Sequence, residues 1–467
     1  MALTNLLAGL TGTQVKSLST ANISKMDSAQ IVALSSANGA SLTSSQVAAV
    51  STEAIESLSF STLTSQSIGG LTAAQLDAIG SNLGTKIASD KIASLSTGAI
   101  SSLDSVQLSY LAAVTGSIEA LNAKQIAALK TSELDSTIVD KLQTTQIAAL
   151  SAAQVKAFAD GVIGTMDSVQ LGALSTAGIS GLESGDMAAF DTTDDIAALG
   201  TKNLKALSAA NFALLNTAEN DSAKLLSSEQ IASLSSAQIS ALTSTGTAGW
   251  DAAKVNALTV KQIAGLDIGD ALSTTQQAML SSTQIAGLSS GQLSEIDATV
   301  FGAFATDKLA AISSAAIAGL TSEQLGGLVT ADFEALNIKT LAAISTANIA
   351  LIGEDIIGDL DSTAIAALST AQIKALTTDQ VTALTSLQVG LLSSAQVAAF
   401  EEGDLAKFST EELAALSSSA LKGLEEKDFM SFTDGQLAEF DDRTENLTSQ
   451  QVNWAIAAYL DQTITTG

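Results

Sequence analysis

The chain has 467 residues, 48 acidic and 20 basic, for a net charge of −28, and it is 46% hydrophobic. It contains no cysteine, no histidine and no proline. Disulfides, thiolate metal sites and imidazole catalysis are therefore excluded, and the net charge argues against recognition of a phosphate backbone, which requires Lys and Arg.

The first stretch, Met1 to Leu10 (MALTNLLAGL), is apolar and carries no charge; the first charge is Lys16. It has no basic n-region and is too short for a signal peptide or a membrane span. Residues 1–9 thus read as an apolar N-terminal arm. From Leu10 a large apolar residue recurs at every eighth position: Leu10, Leu18, Met26, Leu34, Leu42, Val50 and Leu58. The phase slips by five at Leu63 and resumes through Leu71, Ile79, Ile87, Leu95, Leu103 and Leu111. After irregular spacings through Leu121 and Leu129 it runs from Leu142 to Phe190, with further slips at Leu199, Leu226 and Leu272. From Leu272 to Phe440 it holds for 21 octads in unbroken register. Residues 10–440 therefore read as one octapeptide-repeat region. Residues 441–467 differ: an acidic turn, Asp441-Asp442-Arg443, holds the only arginine, and Leu447 to Leu460 reads as an amphipathic helix. A frayed tail is expected from Asp461 to Gly467.

Each good octad encodes a helix start. In Leu368-Ser-Thr-Ala-Gln-Ile-Lys-Ala, Ser369 is the N-cap and Gln372 the N3 residue of a capping box, with Leu368 and Ile373 placed as a hydrophobic staple. One long helix is excluded, because eight residues advance about 800° and the Leu row would drift by about 80° per repeat. A β-solenoid is disfavoured: Ile373 would point away from the face that Leu368 shares, and alanine is depleted in strands. The expected fold is all-α, a continuous superhelical solenoid of very short helices, one per eight-residue repeat. Such helices fall below the roughly 12–15 residues that an isolated helix needs, so neighbouring repeats must stabilise them.

No catalytic constellation is found. Without histidine no hydrolase triad can form, and most hydroxyls sit at cap positions, so the chain is read as not an enzyme. Acidic clusters occur at Asp191/Asp194/Asp195, Asp355/Asp359/Asp361, Glu401/Glu402/Asp404 and Asp441/Asp442/Glu445. They lie in no EF-hand or glycine-rich nonapeptide loop. They are read as solvated charge, with weak calcium bridging between subunits as the alternative and no other cofactor. Trp250 occupies a Leu position and is expected in the core.

At the level of Ser/Thr-x-x-Gln-Ile/Val/Leu-x-Ala-Leu, as in Ser281–Leu288, Ser369–Leu376 and Ser393–Phe400, the chain resembles Ala/Ser/Thr-rich octapeptide-repeat surface and secreted proteins of Gram-negative bacteria. The resemblance implies an extracellular or cell-surface location without a cleavable N-terminal signal peptide. Two function classes follow. The first is a structural subunit of a self-assembling extracellular filament or surface layer, with itself as partner, no nucleic acid and no membrane insertion. The second is the stalk of an adhesin or phage-type fibre. The chain has 3% aromatic residues and no distinct tip segment, which favours the first. The expected assembly interface is formed by the two apolar ends: Leu3, Leu6, Leu7 and Leu10 at one, and Trp454, Ile456, Tyr459 and Leu460 at the other.

Overall fold

The computed structural model describes residues 2–159 and 161–465. Among the described residues there are 43 α-helical segments and 13 3₁₀ segments and no strand. Most of the helices span four to seven residues. The chain divides into two compact units, Met1–Ala241 and Leu242–Gly467. Both are all-α solenoids of the same local design.

The octad beginning at Ser369 shows that design. Ser369 is extended (φ −69°, ψ 158°), and the helix Thr370–Lys374 follows it. The Ser369 hydroxyl accepts from the Gln372 N–H at 3.3 Å, and Gln372 Oε1 accepts from the Ser369 N–H at 2.8 Å. Two amide donors left free at the helix start are thereby satisfied. The helix ends at Ala375, and the next Leu N–H donates back to the Ile373 carbonyl at 3.1 Å. Leu368, Ile373 and Leu376 are all buried. Helices 24 residues apart pack on one another, as Thr346–Ile349 does on Thr370–Lys374 and that helix does on Ser394–Val397.

Octads without a box form looser turns, for example the 3₁₀ segments Ile317–Gly319 and Leu405–Lys407. The slip at Leu199 lies in a segment unlike a single octad, Thr193–Ala206. It is bent at Gly200, whose φ of 61° lets the chain stop one helix and start another without a break.

The C-terminal helix corrects one expectation. It runs Ser449–Thr465, so the stretch after Asp461 is helical through Thr465 rather than frayed. Nothing in Asp461-Gln-Thr-Ile-Thr breaks a helix; the first glycine after Ser449 is Gly467. Met1 of the N-terminal arm and residues 466–467 of the expected tail lie outside the described residues. Among the described residues no helix is long and apolar enough to cross a membrane.

Candidate functional site

The residue that organises each unit is the capping-box glutamine. Its oxygen closes the box on its own helix, while its amide nitrogen turns to the preceding coil. Gln372 Nε2 donates to the carbonyls of Leu341 at 3.2 Å and Ile344 at 2.9 Å, 31 and 28 residues earlier. Gln380 does the same to Ile349 and Ile352, at 2.9 and 2.5 Å. In the N-terminal unit Gln46 reaches Val15 and Leu18, Gln75 reaches Val47 and Val50, and Gln146 reaches Ile118 and Leu121. These carbonyls lie at the C-terminal ends of short helices, where no intrahelical donor remains. One carboxamide thus serves two helix termini in two coils, and a coil recurs every three to four octads.

Where the N3 residue is not Gln, another donor often stands in its place. Lys91 Nζ donates to Leu63 O at 2.8 Å, and Lys308 Nζ to Ala278 O at 2.6 Å. Asn348 Nδ2 reaches Leu320 O at 2.6 Å, Asn211 Nδ2 reaches Leu182 O at 2.8 Å, and Thr340 Oγ1 reaches Ile312 O at 3.1 Å. Sequence reasoning assigned Gln to its own helix alone and missed this second role. The signal was present in the substitutions, since Lys, Asn and Thr share little with Gln except a donor.

The ladder continues into the C-terminal segment. Arg443 Nη1 donates to the carbonyls of Leu413 at 3.0 Å and Ala414 at 3.1 Å. Gln451, boxed with Thr448, donates to Leu421 at 2.8 Å and Leu424 at 2.9 Å. The last helix is therefore docked as one more rung.

The eight residues expected at the apolar ends divide by environment. Leu7 is buried, and its carbonyl accepts from Asn38 Nδ2 at 3.3 Å. Leu3 and Leu6 are 47% and 61% exposed. With Leu10, Leu18 and Met26 they line an apolar groove of about 430 Å³ that also reaches Lys25. In the C-terminal unit Trp454 is half-buried, its ring 6.4 Å from that of Phe429. Tyr459 is also half-buried, and its hydroxyl donates to Asp441 Oδ1 at 3.4 Å; burial and the nearby Asp441 raise its pKa. Ile456 and Leu460, four residues apart on one helix face, are 52% and 59% exposed. The exposed apolar surface of the last helix is thus Ile456 and Leu460, while the two aromatic residues pack within their own unit.

Residues 357–386 match the ALTTAQ repeat. The matched stretch contains Ala375-Leu-Thr-Thr-Asp-Gln380 and two complete boxes of the ladder, Ser369–Gln372 and Thr377–Gln380. The match supports a repeat protein. No curated protein matches the chain.

The acidic clusters are drawn into local bonds. Asp195 is boxed with Thr192, and Asp404 accepts from the Glu401 N–H at 2.9 Å. Asp361 caps the helix Ser362–Ala366, and the Thr363 hydroxyl bonded to it lowers its pKa. Among the described residues no group of three or more acidic side chains is arranged to hold a metal ion. Trp250 is buried, as its Leu position implied.

Proposed function

We propose that this chain is a structural subunit that assembles with copies of itself, head to tail, into an extracellular filament or surface layer. The observation that supports this reading is a pair of dissimilar apolar surfaces, one in each unit. One is the groove edged by Leu3 and Leu6, and the other is the exposed Ile456/Leu460 face. A contact between unlike surfaces is heterologous, and it propagates an open array unless its rotation closes a ring. Charge agrees with the pairing. Lys25 lines the groove and no acid precedes Asp27 in the sequence, whereas the last helix is bracketed in sequence by Asp441, Asp442, Glu445 and Asp461. Secretion to the cell surface belongs to the same reading and rests on the resemblance of the repeat and on a chain free of cysteine and proline.

The test uses the full chain. Light scattering and negative-stain microscopy follow assembly of the wild type, Leu6→Asp and the double variant Ile456→Asp/Leu460→Asp. Each variant alone is expected to remain monomeric with unchanged helical circular dichroism. An equimolar mixture is expected to stop at dimers, because each variant retains one competent surface. A wild type that stays monomeric at high concentration refutes the reading. Assembly that both variants leave intact moves the contact elsewhere on the surface.

A further inference from the structure

Several boxes carry an acid at N3, among them Asp195, Asp332 and Glu412, and Asp428 is the most deeply buried of these. Asp428 occupies N3 of the box begun by Glu425, before the helix Glu426–Ser431. Its Oδ2 accepts from the Glu425 N–H at 2.7 Å. Its Oδ1 is buried and meets no hydrogen-bond partner, in a residue only 1% exposed. The carbonyl 28 residues earlier, that of Phe400, accepts instead from Lys427 Nζ at 2.9 Å, and Lys427 also pairs with Glu425 at 3.3 Å.

A carboxylate can only accept, but a neutral carboxyl has the length of an asparagine carboxamide and carries one donor. Asparagine at this position reaches the carbonyl of the preceding coil: Asn348 bonds Leu320, 28 residues earlier, and Asn203 bonds Leu174 at 2.6 Å, 29 residues earlier. We propose that Asp428 is a proton-operated rung. Protonated, its Oδ1–H donates to the Phe400 carbonyl and locks the helix Glu426–Ser431 to the coil before it. Ionised, it leaves that lock open, and Lys427 holds the carbonyl.

Burial pushes the Asp428 carboxyl up to about 6; the bond from the Glu425 N–H and the charge of Lys427 oppose the rise, and the charge of Glu425 adds to it. The charged groups around it are Glu425, Glu426 and Lys427 on its own element. On the elements packed against it they are Asp404 and Lys407 around the turn Leu405–Lys407, and Asp461 on the helix Ser449–Thr465. Asp404, which likewise accepts from the N–H of a glutamate three residues before it, is raised by burial in the same direction. The folded-state value of Asp428 lies above its ordinary 3.8. Its contribution is therefore complete below the unfolded value and is lost as pH rises through about 6. Between pH 7.5 and pH 5 it strengthens the folding equilibrium about tenfold.

The test is urea unfolding of the full chain at about pH 5 and pH 7.5 for the wild type, Asp428→Asn and Lys427→Met. Asp428→Asn supplies the donor at every pH. The difference between it and the wild type is expected to change about tenfold in folding constant between the two pH values. Lys427→Met is expected to cost more at pH 7.5, where the lysine holds the carbonyl, than at pH 5. In infrared spectra a protonated carboxyl band present in the wild type and absent from Asp428→Asn is expected to vanish near pH 6. A wild-type-minus-Asn difference that stays flat with pH overturns the proposal, as does a Lys427→Met cost equal at both. Should Asp428→Asn fail to fold, the Lys427→Met comparison decides alone.

Discussion

Replacing Gln380 by leucine separates the two roles of the box glutamine. Gln380 is 1% exposed and accepts from the Thr377 N–H at 2.8 Å while donating to Ile349 and Ile352. The Ile349 carbonyl keeps a second partner, the Ile352 N–H at 3.2 Å. The substitution thus deprives two groups, the Thr377 N–H and the Ile352 carbonyl, of the bonds Gln380 supplies. A buried polar group left without a partner costs about 1–3 kcal/mol, so Gln380→Leu is expected to cost about 2–6 kcal/mol, with little cavity term because leucine fills most of the space. Gln14 provides the internal control. It closes the same box on Thr11, but its side-chain bonds stay within that box and it is exposed. Gln14→Leu should cost at most about 1 kcal/mol, the ordinary worth of a cap. Urea unfolding followed by circular dichroism measures both variants. Amide exchange is expected to localise the opening in Gln380→Leu to the coils around 349–352 and 377–381. Equal losses at Gln14 and Gln380 would refute the inter-coil role of the amide and leave only the cap.

Close approach between coils supplies another contrast. A Cβ on Gly423 would lie 2.1 Å from the Ser394 carbonyl oxygen, whereas one on Gly435 meets nothing within 4 Å. Gly423→Ala is expected to lower the urea midpoint by the equivalent of about 1–3 kcal/mol or more, and Gly435→Ala to leave it unchanged or raise it. Deleting Ser369–Leu376 removes one whole repeat and should leave a cooperatively folded helical protein. Deleting Ser369–Gln372 instead places cap residues where buried ones belong and should abolish protection of the flanking coils in amide exchange. Similar melting of the two deletions would show that the octad is not the unit of structure.

The local structure was legible in the sequence because it rests on contacts between near neighbours. Ser369 and Gln372 are three residues apart, so spacing alone predicts the box, the helix it starts and the burial of Leu368 and Ile373. A glycine capable of positive φ at Gly200 likewise sits at a break in the apolar period. The acidic clusters were legible only in part. Their spacing says nothing of burial, so nothing in the string distinguished Asp428, which is buried, from its exposed neighbour Glu426.

What the sequence by itself determined is the repeat unit: a capped helix of one to two turns, too short to stand alone, and therefore a solenoid. Only the tertiary structure decided how many units make a coil, because that depends on the angle through which the chain turns at each Leu, which no residue spacing records. With the coil period came the second partner of most box glutamines, 25 to 34 residues away, as in Gln75 to Val50 and Gln238 to Leu204. The same geometry turned Trp454 and Tyr459 inward and left Ile456 and Leu460 outward. Hydrophobicity marks all four as apolar; only the docking of Gln451 on Leu421 and Leu424 fixes which face of the last helix the core covers.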